Sequence, residues 1–402
     1  VIPGAYSLRA EESASPIDEA IEGLANWGPL YWKSRIRLKD AGYDNNLYNA
    51  EQEPVGAFTA TLSPGIDLFM PIGKRNMLWV ADDLDFVFYE KDPPGIYLNN
   101  DGALGYDLHL KRIHLALGDR LTTRRQRPND EIDARVRREN NLLSGKLLLQ
   151  VSPRVEAGLI HESDKISYDD ASVEEPGVPD SIALVLDRTE RQNGLVLRYA
   201  ALPRTTFLIR VRHTGYDFKD PASTRESSEL RYLAGAEFDP TGIINGELEV
   251  GYSSFTADLA PEQDFDGLVG RAKVTWQMKS WLHFRVTAVR DRQFSTYATN
   301  LFYLRRSLEG RASLRMGGAG WLDLGYGQDR SDYPVEDVNS GTEDDPVYVS
   351  REDRFSGPIL GFRYQPREGM VLGFEATYRS RESNFARDYD RLFVAVSITL
   401  SR

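Results

Sequence analysis

Apolar and polar residues alternate along most of this chain. Leu230, Tyr232, Ala234, Ala236 and Phe238 interleave with Arg231, Leu233, Gly235 and Glu237; after Asp239-Pro240-Thr241-Gly242 the beat resumes with Ile244, Leu248, Val250 and Tyr252 against Asn245, Glu247 and Glu249. A period of two sends successive side chains to opposite faces, so this stretch predicts a β-hairpin with one apolar and one charged face. The unit recurs from Trp32 onward. Trp32, Ile36 and Leu38 oppose Lys33, Arg35, Arg37 and Lys39. Phe58, Ala60, Leu62, Ile66, Leu68 and Met70 make a second strand, and Leu84, Phe86 and Phe88 a third opposite Asp83 and Asp85. The last strand, with Leu392, Val394, Val396, Ile398 and Leu400 on its apolar face, runs almost to Arg402.

The connections alternate in length. Short ones fall near 71–76, 111–112, 152–154, 202–204, 239–242, 277–281, 316–319 and 365–368, and prolines there cost the ladder no hydrogen bond. Longer acidic ones include 43–54, 91–101, 125–135, 163–188, 219–226, 291–300 and 330–353. Short turns on one side and long loops on the other are the asymmetry of outer-membrane barrels. The expected fold is therefore all-β: a transmembrane antiparallel up-and-down barrel over 29–402, with about 18 strands, short periplasmic turns and long extracellular loops. A last strand that can pair with the first removes both sheet edges. Residues 1–28 read differently. Ser15-Pro16 followed by Asp18 and Glu19 is a helix start, with an end expected near Gly28, and the segment is expected to lie in the periplasm or inside the lumen.

The same apolar faces would pack together in a large soluble β protein. Three observations oppose that. The strands approach the roughly 9–11 residues of a tilted membrane strand. Trp276, Trp281, Tyr252, Tyr326, Tyr364 and Tyr378 gather near strand ends, as interfacial girdles do. No repeat of blade length appears.

Composition adjusts this picture only slightly. Hydrophobic residues are 41% and mean hydropathy is -0.45, as expected when half of each strand is polar. No long apolar run predicts a membrane helix. A net charge of -12 opposes a nucleic-acid partner. Absence of cysteine removes disulfides and thiolate chemistry. The chain begins at Val1, consistent with a signal peptide already removed.

Charges on a lipid-facing surface cost about 2–4 kcal/mol for Arg or Lys at mid-bilayer. The charged beat is therefore expected to line a lumen: Arg198, Arg210, Arg212, Arg231, Arg271, Arg285, Arg305, Arg311 and Arg315 with Asp67, Asp83, Asp85, Glu237, Glu247, Glu249, Asp323 and Glu375. Such a wall either pairs internally or selects anionic and hydroxyl-rich solutes by bidentate hydrogen bonding. His109, His114, His161, His213 and His283 are scattered and fit no catalytic or metal motif, so neither catalytic residues, a metal nor a cofactor is expected. Gly42-Tyr43-Asp44-Asn45-Asn46 and Glu343-Asp344-Asp345 lack full calcium-loop spacing and read as solvated loops.

The chain resembles the outer-membrane family called putative β-barrel porin 2, which includes barrels from exopolysaccharide and capsule gene clusters. The resemblance covers most of 29–402. It rests on Gly42-Tyr43-Asp44-Asn45-Asn46, Leu62-Ser63-Pro64-Gly65-Ile66-Asp67-Leu68, the Ser152-Pro153-Arg154 and Leu202-Pro203-Arg204 turns, and Phe238-Asp239-Pro240-Thr241-Gly242 with Gly251-Tyr252. Phe238 stands where the family pattern often has Trp, and Arg402 replaces the usual closing aromatic. The resemblance implies a porin in the outer membrane of a Gram-negative-type bacterium, for polysaccharide export or solute passage, and supplies no catalytic residues. The expected partners are outer-membrane lipid, polysaccharide or small anionic solutes, and a periplasmic export component. The competing expectation is a structural or surface-interaction barrel whose long loops hold a partner or surface layer.

Overall fold

The computed structural model describes the chain except residues 1–15, 92–94, 133–134, 170–180, 240, 298, 343–344 and 386–387. A short helix α1 (Pro16–Ile21) and a three-residue strand β1 (Ala25–Trp27) precede the wall. The wall begins with β2 (Leu30–Asp44), β3 (Ala57–Ile72), β4 (Asn76–Tyr89), β5 (Gly95–His109), β6 (Ile113–Gln126) and β7 (Val136–Ser152). Next come β8 (Val155–Tyr168), helix α2 (Ile182–Leu186), β9 (Arg188–Leu202), β10 (Thr205–Phe218), β11 (Ser227–Phe238) and β12 (Ile244–Ala257). It ends with β13 (Phe265–Lys279), β14 (Leu282–Phe294), β15 (Phe302–Met316), β16 (Gly320–Thr342), β17 (Asp345–Arg367), β18 (Met370–Ser383) and β19 (Tyr389–Ser401).

Every wall strand pairs antiparallel with its sequence neighbours, and β19 returns to β2, so 18 strands form a closed ring. The expected strand number and closure are both observed. At the short turns Gly73 and Gly369 have φ of 69° and 73°, a region that penalises a Cβ, which is why glycine sits there.

The alternation read from the sequence separates two surfaces. Leu159, Leu195 and Ile209 are 55%, 58% and 59% exposed on the outer face, part of a belt that water would not tolerate at this extent. The charged beat turns inward. Asp130, in the β6–β7 connection, reaches Arg379 on β18 at 3.0 Å, and side chains from distant sectors of a closed ring meet only through its interior. The rule has exceptions: Asp82 and Asp119 share the outer face with Ile66 and Leu143, and accept hydrogen bonds from Asn100 (2.7 Å) and Asn141 (3.2 Å).

The seam between first and last strands carries the Gly42-Tyr43-Asp44-Asn45-Asn46 stretch. Asp44 is buried and takes the Arg391 guanidinium of β19 on both oxygens at 3.0 Å. The Asn45 side chain accepts the Leu392 amide at 2.7 Å, and the Asn46 amide group reaches the Asp390 carbonyl at 3.1 Å. These residues are not a solvated loop. Gly42 meets the backbone of Val394 and Ala395 so closely that any Cβ would collide. The second calcium-like stretch, Glu343-Asp344-Asp345, begins on residues outside those described.

Two further expectations change. Residues 330–353 are mostly ladder rather than loop, because β16 and β17, each 23 residues long, continue past their neighbours beyond Asp332 and Asp353 as a two-stranded ribbon. Pairing resumes at Glu336↔Ser350 after an irregularity beyond Asp332↔Glu352, and alternation is hard to read across such a shift. The N-terminal helix ends at Ile21, not near Gly28, since Gly23 has φ 73° and β1 then pairs with β2. Its expected Ser15 cap lies outside the described residues. Ile17 is 1% exposed and packs on Met77 and Trp79, on the same face of β4 as Asp83 and Asp85. That places α1 against the inner wall near the short-turn end.

Candidate functional site

By ladder register the charged residues proposed as lumen lining fall on the face opposite the apolar belt, and most are paired. Arg35, not among them, joins Asp67 (2.6 Å) and Asp83 (2.9 Å), while Lys39 takes Asp85 (2.8 Å). Arg198 bridges Glu156 (3.2 Å) and Glu237, Arg210 takes Glu249 (2.7 Å), and Arg271 lies between Glu249 (2.9 Å) and Glu247 (3.7 Å). Arg231 joins Glu229 (2.8 Å) to Asp291 (2.7 Å). Further round, Arg305 meets Asp329 (3.1 Å), Arg311 meets Glu309 (2.6 Å) and Glu375 (3.6 Å), and Asp323 receives Arg363 (2.9 Å). Arg315 sits at a short turn, on the Gly318 carbonyl (2.9 Å).

Some cations are left over. Among the described residues Lys146, Arg212 and Arg285 have no carboxylate partner; Arg212 reaches only the Gln192 side chain at 3.4 Å and Arg285 only Thr275 at 3.4 Å. Arg212 lies directly across from Arg231, and Arg285 directly across from Arg311. Like charges opposed on one face destabilise a sheet. The wall therefore carries surplus positive charge at these points.

The long-loop end is crossed by the chain itself. The β6–β7 connection enters the ring, and Glu131, 2% exposed, accepts hydrogen bonds from Ser295 Oγ (2.6 Å), the Thr296 amide (2.6 Å) and Thr296 Oγ1 (2.8 Å). Those partners belong to the β14–β15 connection, on the opposite side of the ring. Arg225, from the β10–β11 connection, donates to the Ser295 (2.6 Å) and Tyr297 (2.8 Å) carbonyls, and burial pushes its guanidinium down to about 10. Ile132 and Tyr297, from the two connections that meet, join Ile182, Val185, Leu186 and Tyr333 in a buried apolar cluster. Burial pushes the Asp130 carboxyl up, but Arg379 and Arg305 outweigh it and hold the group below its ordinary value.

On one flank, Arg292 sits 3.8 Å over the Phe255 ring and 3.5 Å from Glu229, with Phe294 edge-on to Tyr216 and Phe218. Here the pairing of β14 with β13 has ended at Gly270↔Arg290, while β14 stays paired with β15 as far as Phe294↔Phe302. The sequence reading missed Glu131 and Arg292, since neither falls on a regular two-residue beat. Arg35, Asp101 and Arg120 could have been found; they continue the charged beat of their strands, and Arg120 grips Asp101 with two bonds of 2.7 and 2.6 Å.

The histidines are not all scattered. His109 and His114 stack on the inner face with ring centroids 4.3 Å apart, and His283 lies against Trp321. His161 and His213 face outward, on a recess of about 540 Å³ floored by Leu147, Leu159 and Leu195.

A closed 18-strand wall with an apolar exterior and a charged interior is the architecture of an outer-membrane barrel. The model of the family described as Putative beta-barrel porin 2 matches residues 150–402. The chain belongs to that family. Solved porins share the fold: a BenF-like porin from Pseudomonas fluorescens Pf-5, at 12% identity and TM-score 0.52, covers 93% of this chain and 99% of its own. The outer membrane protein OpdK from Pseudomonas aeruginosa aligns at 12% identity and TM-score 0.51, covering 92% of this chain and 99% of its own. OpdK has also been solved with vanillate, at 13% identity and TM-score 0.50, with the same coverage. No functionally curated protein matches the sequence. This porin-family barrel resides in the outer membrane, with lipid against its apolar belt and small solutes as its traffic.

Proposed function

We propose that this barrel is a non-catalytic, gated channel for small anionic solutes, with the surplus cations of the inner wall as their contact points. The carrying observation is the two pairs of directly opposed arginines, Arg212 across from Arg231 and Arg285 across from Arg311, in which, among the described residues, only Arg231 and Arg311 have carboxylates. An anion arriving beside Arg212 or Arg285 relieves a repulsion already present, and guanidinium suits carboxylate or phosphate geometry. The other charged positions, such as Arg198, Glu237 and Asp323, shape the wall through their mutual pairing. Helix α1, seated on Met77 and Trp79, forms a second restriction at the periplasmic mouth.

Passage of a polysaccharide is the alternative cargo, with a periplasmic export partner to feed it. The Glu131 crossing disfavours it, because a polymer needs an uninterrupted bore. The test is ion selectivity in planar bilayers under a salt gradient. Wild-type protein is expected to prefer anions, and the R212E/R285E variant to prefer cations; unchanged reversal potentials would overturn the proposal. Liposome swelling with small carboxylates against oligosaccharides then distinguishes the cargoes.

One observation favours a second reading, a surface-interaction barrel: the β16–β17 ribbon extends beyond the ring. Trimming residues 337–347 would abolish partner binding and leave flux unchanged under that reading.

A further inference from the structure

We infer that Asp107, His109 and His114 form a binding site for a divalent transition-metal ion, of the zinc, nickel or copper(II) type, inside the periplasmic mouth. The placement follows from strand geometry. Asp107 and His109 are two apart on β5 and share its inner face. The short turn 110–112 returns the chain so that His109 pairs directly with His114 on β6. Two ligands at i and i+2 and a third across the ladder thus converge, and their donor atoms all lie within 4.8 Å of one another. Around a tetrahedral zinc with bonds of about 2.0–2.1 Å those atoms stand roughly 3.4 Å apart. Side-chain rotation closes that difference without moving the ladder.

The carboxylate is already oriented. Asp107 Oδ2 accepts the Trp79 indole N–H at 2.9 Å, leaving Oδ1 toward His114 Nε2 at 3.3 Å. Trp79 is 9% exposed, and it lies over Gly105, where any Cβ would strike the indole. A buried donor that fixes a carboxylate beside two imidazoles is the outer support that metal ligands usually have. Both imidazoles are half-buried and stack at 14°, side by side on the inner face.

Ligand chemistry selects the ion. Two nitrogens and one oxygen suit zinc, nickel or copper(II); calcium and magnesium call for oxygen cages, and the sulfur ligands favoured by copper(I) would have to come from methionine in a chain without cysteine. Three protein ligands leave a coordination position open for water or for an anionic group in transit.

The test uses the full chain without an affinity tag, folded in detergent micelles and titrated with zinc chloride by calorimetry at neutral pH. One ion per chain is expected, with H109A and H114A each binding roughly tenfold or more weakly. H161A, altered on the outer wall, is expected to bind as wild type. Each variant's heat-modifiable gel migration shows that its barrel is folded. Absence of saturable zinc uptake by wild type, or wild-type affinity in a folded H109A/H114A variant, would overturn the site. Anion selectivity does not depend on these residues, so the outcome is separate from that of the channel proposal.

Discussion

Glu131 ties the β6–β7 connection to a segment on the far wall through three short hydrogen bonds, the contact that the proposed gate would have to break. Its replacement by alanine strands three buried donors, at a cost of about 1–3 kcal/mol each, so E131A is expected to raise the open-state population by at least about tenfold. Single-channel recording checks this as a rise in open time or conductance. Asp130 adds a pH signature. Because Arg379 holds its folded-state pKa below the ordinary value of about 3.9, its contribution is complete above that value and is lost as pH falls through the depressed one. Current is therefore expected to stay flat from neutral pH to about pH 4 and to rise only below it; a rise centred near pH 6 would contradict the assignment. At this scale legibility was uneven. Arg198, Arg231 and Glu249 announced themselves through the two-residue beat, whereas Glu131 lies in a connection, where facing is decided by a contact across the ring that no local pattern encodes.

Elements were more legible than their exceptions. The wall strands follow from alternation, and the short turns from Pro and Gly, because both signals are local. The β16–β17 ribbon read as a loop, since its register shifts break the beat and its outer part has no barrel surface to demand it. Helix α1 was recognised from its capping pattern, but its seat on Met77 and Trp79 was not, for an isolated six-residue helix has no stability of its own to advertise. Burial of an Ile side chain is worth about 1.5–3 kcal/mol, so I17D is expected to detach α1. Indole emission should shift to the red in I17D but not in a W79F background, and periplasmic-side conductance should rise.

For the molecule as a whole, the closed ladder leaves no free edge in the ring from which unfolding can start. The protein is expected to migrate as a compact species in SDS until boiled. D44A, which frees Arg391 at the seam, is expected to lower the temperature of that conversion by several degrees. A variant with unchanged heat-modifiability would show that the ladder alone secures the seam.

The Asp44–Arg391 bond also sets a constraint in time. Its partners are separated by 347 positions, so it closes a loop that contains almost the entire chain. Joining ends over that length costs about 5 kcal/mol in chain entropy if nothing else is ordered. Neighbouring hairpins each close only short loops and can assemble first, bringing the two outermost strands together as they accumulate. Asp44 and Arg391 thus stand at the last step of assembly, and D44A should slow the final phase of insertion into lipid vesicles while leaving the earlier appearance of β-structure unchanged.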